Sequence, residues 1–205
     1  RAVPTLAVLR TPEALRDFVP TGLPAIVKPS HSSGRTKRID RPSDFHDALP
    51  LFQRWLNHDY FRESLEENYA GLERTLLVEP CLDERYAFEG SVHVRAGRAR
   101  VVSIIQRFDP DKRRASVDRD WRALHVALGQ PYLPMDLAPP PFAADLLRDA
   151  ETLARDFSYL RVDFYASRDD YVFGELTNLP GGGLSRFSSP EGEARFNAAF
   201  FSDDH

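Results

Sequence analysis

The sequence is poor in cysteine, since Cys81 is the only one among 205 residues. A single thiol excludes an intramolecular disulfide and fits a reducing compartment, so we expect a cytoplasmic protein. The sequence also lacks an apolar run near the roughly 20 residues that span a bilayer, and its start shows no signal-peptide pattern. An initiator methionine is missing too. The chain opens at Arg1, which predicts a piece of a longer protein or a processed product.

Positive charge is not in excess. The formal net charge is −4, which argues against a broad nucleic-acid-binding surface. With 42% hydrophobic and 28% charged residues the chain can bury a core, so wholesale disorder is excluded. Its length allows one large domain or two small ones.

Several catalytic motifs are missing as well. There is no G-x-S-x-G nucleophile elbow, no G-x-x-x-x-G-K-[ST] phosphate loop and no Cys/His nucleophilic pair. The histidines show no metal-ligand spacing with Cys81 or with one another: His31, His46, His58, His93 and His125. Scattered core or surface histidines explain them better than a zinc site does.

Hydrophobic periodicity and turn residues predict an α+β chain built mainly from antiparallel hairpins, without the alternation of a doubly wound sheet. The predicted strands are 5–9, 25–28, 75–79, 91–95, 100–107, 160–166 and 171–175. The predicted helices are 11–18, 43–56 with a break at Pro50, 121–128, 142–157 and one beginning near Pro190. A hairpin turn is expected at 96–98, and small-residue loops at 30–36 and 180–183.

The last predicted hairpin carries residues suited to phosphate chemistry. Arg161 and Asp163 are two apart on one strand, so their side chains share a face, and Glu175 ends the partner strand. Strand pairing is expected to bring Asp163 and Glu175 together, where a cation would relieve their repulsion. Magnesium suits such a pair because it takes one or two carboxylates plus phosphate oxygens and water. An ordinary salt bridge between Arg161 and Glu175 explains the pattern equally well.

A second candidate segment begins at Lys28, which ends a short apolar strand and precedes the small polar loop 30–36. An ammonium group followed by accessible backbone N–H groups predicts a phosphate cradle. A solvated loop after an edge strand is the alternative.

A third segment is the strand 75–79, which ends in Glu79 and is followed by Pro80. Proline removes one backbone donor, so we expect backbone groups near Leu82 to be free to form hydrogen bonds with the edge of a purine base. A plain strand terminus is the alternative.

These segments occur in the order found in ATP-grasp ligases, and the resemblance covers nearly the whole chain. It rests on Val27-Lys28-Pro29-Ser30, Val78-Glu79-Pro80-Cys81-Leu82, Arg161-Val162-Asp163-Phe164 and Gly174-Glu175-Leu176-Thr177-Asn178-Leu179-Pro180-Gly181. The end of the chain resembles the TupA-like ATP-grasp group through Arg161-Val162-Asp163-Phe164-Tyr165, Phe173-Gly174-Glu175-Leu176-Thr177 and Pro180-Gly181-Gly182-Gly183. Two earlier segments also resemble that group, Glu66-Glu67-Asn68-Tyr69 and Asp118-Arg119-Asp120-Trp121. That group is associated with the synthesis of teichuronopeptide and other cell-surface polymers.

The resemblance implies two α+β subdomains whose antiparallel sheets grip ATP, with boundaries at 1–78 and 79–205. The N-terminal ATP-grasp subdomain would carry the Lys28 strand and the phosphate loop. The C-terminal one would carry the adenine hinge and the metal site. ATP-grasp enzymes normally have a preceding region that supplies another phosphate-binding lysine, and we expect it to be missing before Arg1.

By position, the resemblance assigns a role to each site residue. The nucleotide contacts would run from the phosphates through adenine to ribose: Lys28 with Ser32, Ser33 and Gly34, then Glu79 with the backbone of Cys81 and Leu82, then Glu89. The magnesium ligands would be Asp163 and Glu175. Arg161 would steady the transferring phosphoryl group, and Arg107 would add a phosphate contact.

Two positions depart from the related patterns. D-alanine ligases have asparagine two residues after the metal glutamate, whereas this sequence has Thr177 with Asn178 next. Either Asn178 takes the ligand role or a second ion is held more loosely, and threonine is also found there in the TupA-like group. That group usually has Asp-Tyr-Lys near the start of the middle hairpin. This sequence has Glu89-Gly90-Ser91 there, so a lysine contact is lost.

The resemblance therefore implies an ATP- and magnesium-dependent carboxylate–amine ligase that works through an acyl phosphate in the biosynthesis of a cell-surface polysaccharide or glycan–peptide. Its substrates would be ATP, a carboxylate and an amine acceptor, drawn from sugar acids or amino acids, with no nucleic-acid partner. Two alternatives stay open. One is a nucleotide-binding module with impaired catalysis, and the other is a kinase of the same fold.

Overall fold

The chain forms two compact units. The computed structural model describes residues 1–111, 113–132, 134 and 137–202. The smaller unit is Val3–Asp83, and the larger one combines Arg1–Ala2 with Glu84–His205. The division thus falls after Asp83 rather than at 78/79. The reason is that strand β4, Leu76–Pro80, continues through 78/79 while it pairs with β2, Ala25–Pro29.

The smaller unit is a four-stranded antiparallel sheet in the order β1-β4-β2-β3, where β1 is Ala7–Leu9 and β3 is Lys37–Ile39. Its helices are α1, Pro12–Asp17; α2, Pro42–Asp47; α3, Leu49–Asn57; and α4, Tyr60–Ser64. Alternate residues of β2 and β4 point into one core with α1 to α3. The core members of the two strands are Ala25, Val27, Leu76 and Val78.

The helix predicted for 43–56 is two helices, which confirms the predicted break. Helix α2 ends at Asp47, and Ala48 joins it to α3 by donating its N–H to the Asp44 carbonyl at 3.2 Å. Pro50 lies in the first turn of α3, where a backbone donor is not needed.

The larger unit is a five-stranded antiparallel sheet in the order β7-β6-β5-β8-β9. The strands are β5, Phe88–Arg95; β6, Arg98–Gln106; β7, Arg114–Asp118; β8, Tyr159–Ala166; and β9, Tyr171–Thr177. Two helices complete the unit, α5 at Ala143–Ala154 and α6 at Pro190–Phe200. The predicted hairpin turn between β5 and β6 is confirmed, because Arg95 pairs with Arg98.

The two faces of this sheet differ in character because side chains alternate along each strand. One face packs against α5 and holds the apolar core, with Val92, Val102, Val162 and Phe164 among its buried members. The opposite face carries mostly polar side chains. Helix α6 covers part of that face through Phe196, which packs against Val101.

The helix predicted for 121–128 is wrong. This segment turns back on β7, which was not predicted, and pairs Val117 with Ala123. The Leu124 N–H then donates to the Ser116 carbonyl at 2.9 Å. Leu124 and Val126 are buried at a spacing of two, which is the period of extended chain rather than of a helix. Among the helices of the described ranges, none combines the length and apolar character needed to cross a bilayer.

Candidate functional site

Asp163 and Glu175 stand directly opposite each other in the antiparallel pair of β8 and β9. Directly opposite residues have Cβ atoms only about 4.5–5.5 Å apart. Asp163 is buried, with 5% of its surface exposed, whereas Glu175 is exposed. The hairpin therefore presents two carboxylates side by side, one set into the sheet and one open to solvent.

A β-bulge at Gly174 makes this arrangement possible. Phe164 pairs with Phe173 and Asp163 with Glu175, so Gly174 is the extra residue of β9. Phe173 and Glu175 would share a face in a regular strand, but the bulge lets Phe173 pack against the apolar core while Glu175 joins Asp163. A Cβ atom at Gly174 would lie 2.9 Å from the Tyr165 ring. Glycine is needed at this bulge.

Arg161 forms a two-pronged ion pair with Asp163. Its Nε donates to Oδ1 at 2.8 Å and its Nη2 to Oδ2 at 2.6 Å, while Nη2 also donates to the Thr177 hydroxyl at 3.2 Å. Burial opposes the charge of Arg161, but the ion pair with Asp163 outweighs it and raises the pKa of the guanidinium. Arg161 thus forms a salt bridge with Asp163, and the negative charge of Glu175 also raises the pKa of Arg161.

The donor set at the end of the hairpin fits magnesium. Asp163 and Glu175 supply carboxylate oxygens, and the exposed Asn178 adds an amide oxygen just beyond β9. Within the described ranges no group of three or more His, Cys, Asp or Glu residues is placed to hold a metal. Two carboxylates are enough for magnesium when phosphate oxygens and water complete its shell. Both oxygens of Asp163 accept bonds from Arg161, so the arginine competes for this ligand.

The polar face of the larger sheet is organised in rows that cross the strands. One row passes through the carboxylate pair and is made of Ser116, Ser103, Ser91, Asp163 and Glu175. The three serines are buried and small. A second row carries His93, Arg161 and Thr177.

Glu89 lies in a third row with Tyr165, Ile105 and Arg114. Burial raises the pKa of Glu89, and the negative charge of Asp163 raises it further, against the opposing charge of Arg114. Burial and the neighbouring Glu89 likewise raise the pKa of Tyr165 to about 12. The predicted ribose contact therefore belongs to the same charged face as the predicted metal ligands.

Arg114 is a functional candidate that the sequence reasoning missed. Burial lowers its pKa, partly offset by the carboxylate of Glu89. Its Nη1 donates to the Leu128 carbonyl at 3.3 Å, while its buried Nε has no partner in the described part of the chain. The alternation of Arg114, Ser116 and Asp118 along β7 was the available signal, but this strand was not predicted.

Arg107, the predicted further phosphate contact, lies just beyond β6. Its Nη1 donates to the Tyr86 carbonyl at 2.7 Å, and its guanidinium carbon lies 4.8 Å from the centre of the Tyr165 ring. Its positive charge also acts on Glu89. The structure thus brings Arg107 to the charged cluster, where it stacks on the Tyr165 ring.

In the smaller unit, Lys28 and Glu79 form an ion pair with 2.7 Å between Nζ and Oε2. Glu79 stands opposite Ile26 and Lys28 opposite Leu77, so both charged side chains point away from the core. Both are partly buried. The structure therefore places the predicted phosphate lysine and the predicted adenine residue in direct contact with each other.

The loop after β2 is held at its start and open at its middle. The Ser30 and Thr75 hydroxyls lie 2.6 Å apart, and His31 Nε2 lies 2.9 Å from the Trp55 carbonyl oxygen. Ser33 and Gly34 are exposed. The hydroxyl of Ser32 is buried with no partner among the described residues, which is an orphaned polar group that a bound anion would satisfy.

The predicted adenine hinge needs one correction. The N–H of Cys81 donates to the Pro24 carbonyl at 2.9 Å, because β4 extends its pairing with the chain before β2. This main-chain donor therefore cannot serve a purine. The carbonyl oxygen of Cys81 and the main chain of Leu82 are the groups left for that role.

Comparison with known proteins identifies the family. A sequence profile described as "TupA-like ATPgrasp" matches residues 2–199. A search of curated protein sequences found no significant match.

Among solved structures, the chain is similar to several ATP-grasp enzymes. D-alanine–D-alanine ligase from Bacillus anthracis, complexed with ATP, is 13% identical, with 88% of this chain and 51% of that chain covered and a TM-score of 0.49. The D-cycloserine synthetase DcsG is 16% identical, with 97% of this chain and 63% of that chain covered and a TM-score of 0.48. The ATP-grasp ligase PsnB, complexed with minimal precursor, Mg and ADP, is 14% identical, with 86% of this chain and 44% of that chain covered and a TM-score of 0.47. The chain thus spans less than two thirds of each of these proteins.

Proposed function

Because the chain belongs to the TupA-like ATP-grasp family, we propose that it is an ATP- and magnesium-dependent carboxylate–amine ligase that forms a C–N bond through an acyl phosphate. The observation that carries the proposal is the pairing of Asp163 with Glu175, with Arg161 attached to Asp163. This is a donor set for a metal–phosphate complex, placed next to a guanidinium that suits a phosphoryl group.

The smaller unit carries the proposed contacts for the phosphates and the adenine. Lys28 and the loop of Ser32, Ser33 and Gly34 would hold the phosphates, with the buried Ser32 hydroxyl gaining its missing partner. Adenine would bind the Cys81 carbonyl and the Leu82 main chain. Glu79 would then act through Lys28, since the ion pair fixes the ammonium group at the end of β2.

Magnesium would be held by Asp163, Glu175 and Asn178, and it would neutralise charge on the phosphate oxygens. Arg161 is bonded to Asp163, which supports its proposed role of stabilising the transferring phosphoryl group. Arg107 and Arg114 add positive charge to the same face. This charge matters because the phosphoryl group and the substrate carboxylate repel each other as they meet.

The reaction would proceed in two steps. An oxygen of the substrate carboxylate attacks the terminal phosphorus of ATP, the bond to the bridging oxygen breaks, and ADP leaves. The amine then attacks the carbonyl carbon of the acyl phosphate, phosphate leaves with the bonding electron pair, and the nitrogen loses a proton to form the amide. Holding both substrates over one face supplies effective molarity for the second step.

The finer proposal is that this ligation serves a cell-surface polysaccharide or a glycan–peptide, with a sugar acid or an amino acid as substrate. It is supported by the resemblance of the chain's ending to the TupA-like group. A reaction that consumes ATP also agrees with the cytoplasmic location that the single thiol predicts.

A direct test is an assay for magnesium-dependent ADP release with a panel of sugar acids and amino acids, each offered with and without amine acceptors. The ligase proposal expects ADP, phosphate and an amide in equal amounts, with the amide identified by mass spectrometry. ADP with a phosphorylated product and no need for an amine would identify a kinase instead. ATP binding without ADP release from any pair would contradict both.

One observation favours a second candidate, a nucleotide-binding module with impaired catalysis. Arg161 takes both oxygens of Asp163, an arrangement that also suits a purely structural ion pair. Such a module would gain thermal stability from ATP, since ligand binding stabilises the native state. It would gain no more with magnesium than without.

A further inference from the structure

A second cleft lies in the larger unit, on the opposite side of its sheet from Asp163 and Glu175. Its volume is about 420 Å³, which is within the range of small-ligand pockets. Its floor is formed by Ala143, Ala144 and Leu147 of α5. The two alanines are small, and the ring of Trp121, which packs against the apolar core of the larger unit, lines the cleft beside them.

Trp121 has an unusual backbone conformation and a ring nitrogen without a hydrogen-bond partner among the described residues. Its φ is +62°, a left-handed conformation that carries a steric cost for a residue with a Cβ atom. The turn is fixed by Asp118, whose Oδ1 accepts the N–H groups of Asp120 at 2.9 Å and Arg122 at 2.8 Å. The indole Nε1 is buried and has no hydrogen-bond partner among the described residues. A buried donor without a partner is rare.

The rim of the cleft carries balanced charge. Arg119 pairs with Glu151, and Arg148 is exposed, with an ion pair to Asp145 at 2.8 Å. Asp120 completes the rim. Donors and acceptors therefore alternate around an aromatic surface, and no single sign of charge dominates.

We propose that this cleft binds a carbohydrate ring. Each hydroxyl of a sugar both donates and accepts hydrogen bonds, so it matches a rim of alternating guanidinium and carboxylate groups. The apolar face of the ring fits the indole of Trp121 and the alanines of α5. A simple anion would gain little here, because Asp120 and Glu151 offset Arg119 and Arg148. The site goes beyond the ligase proposal and does not depend on it.

The test follows the indole N–H signals of the two tryptophans, Trp55 and Trp121, by ¹H–¹⁵N NMR, with Trp121→Phe used for assignment. The probes are cellotetraose, maltotetraose, chitotetraose and tetragalacturonate, and sorbitol serves as an open-chain polyol control. We expect at least one oligosaccharide to shift the Trp121 signal saturably, while the Trp55 signal and the sorbitol titration stay flat. No saturable shift with any of them overturns the proposal.

Ala144→Arg fills the cleft from an exposed helix position, so it should abolish the sugar response without loss of fold. Thr152→Arg is the matched control, since it adds the same side chain at an exposed site of α5 away from the cleft. A sugar response that survives Ala144→Arg overturns the proposal. Stabilisation by magnesium and ATP should be unchanged in both variants. A failure of the cleft is therefore distinguishable from a failure of the ligase site.

Discussion

Asp163 faces Glu175 directly across β8 and β9, and the single bulge residue Gly174 is what turns Glu175 to that side. Strand β9 thus places Phe173 in the apolar core and Glu175, only two residues later, on the polar face of the sheet. The metal-site proposal rests on this register, and so do the first two predictions.

Glu175→Gln should remove magnesium-dependent ADP release, by about 100-fold or more, because an amide cannot neutralise the metal as a carboxylate does. Glu175 is exposed, so the free energy of unfolding should change by only about 0.5 kcal/mol. Glu191→Gln is the control, since Glu191 is an exposed acid in the first turn of α6. Turnover that matches the wild type would contradict the assignment of Glu175 as a magnesium ligand.

Gly174→Ala should lower the free energy of unfolding by about 1–3 kcal/mol, because the added Cβ would lie 2.9 Å from the Tyr165 ring. Urea denaturation measures the change. Gly90→Ala is a matched control in the same sheet, where the nearest atom to the new Cβ is 3.9 Å away on Val102. If the two variants are equally stable, the bulge does not require glycine.

Lys28→Met should weaken ATP binding by about tenfold or more, since the ammonium group is the proposed phosphate contact. It also leaves the partly buried Glu79 without its partner, at a cost of about 1–3 kcal/mol in stability. Isothermal titration calorimetry with ATP and magnesium separates the two effects when it is run well below the melting temperature. Lys37→Met, at an exposed position of β3, should bind as the wild type does. Equal affinities for the two variants would contradict the phosphate role.

Burial lowers the pKa of His93 to about 3, aided by the positive charge of Arg161. The unfolded chain protonates this histidine near its ordinary pKa of about 6.5, while the folded protein keeps it neutral. Its contribution to stability is therefore present above pH 6.5 and falls as the pH drops from about 6.5 towards 3, by about 1 kcal/mol per pH unit.

Urea unfolding of the wild type and of His93→Gln between pH 7 and pH 4 tests this sign. The wild type should lose stability faster on acidification than the variant. Parallel curves would show that His93 protonates equally in the folded and unfolded states.

The sequence predicts the last hairpin well because both strands are local and joined by a short turn, so pairing follows from spacing alone. Regular spacing would put Gly174 opposite Asp163, so the register that brings Glu175 there depends on a bulge that the sequence pattern did not predict. The partner of Arg161 could not be predicted from the sequence, because its distance to either carboxylate depends on side-chain rotamers that a sequence pattern does not specify. The structure joins it to Asp163.

Arg114 and the segment 121–128 could not be placed in this way. Arg114 reaches the charged face only through the pairing of β7 with β6, and the single strand β6 separates it from Glu89 on β5. A helix was predicted for 121–128, but long-range pairing of Leu128 with Phe187 and of Ala123 with Val117 holds this segment extended. Contacts between distant parts of the chain override local preference at both places.

The most direct test of the central claim is a crystal structure with a non-hydrolysable ATP analogue and Mn²⁺ in place of magnesium, using anomalous scattering to locate the ion. The account predicts an ion with Asp163 and Glu175 oxygens at about 2.1 Å, bridging to phosphate oxygens. An ion bound only by the nucleotide, with Arg161 still attached to both oxygens of Asp163, would contradict it.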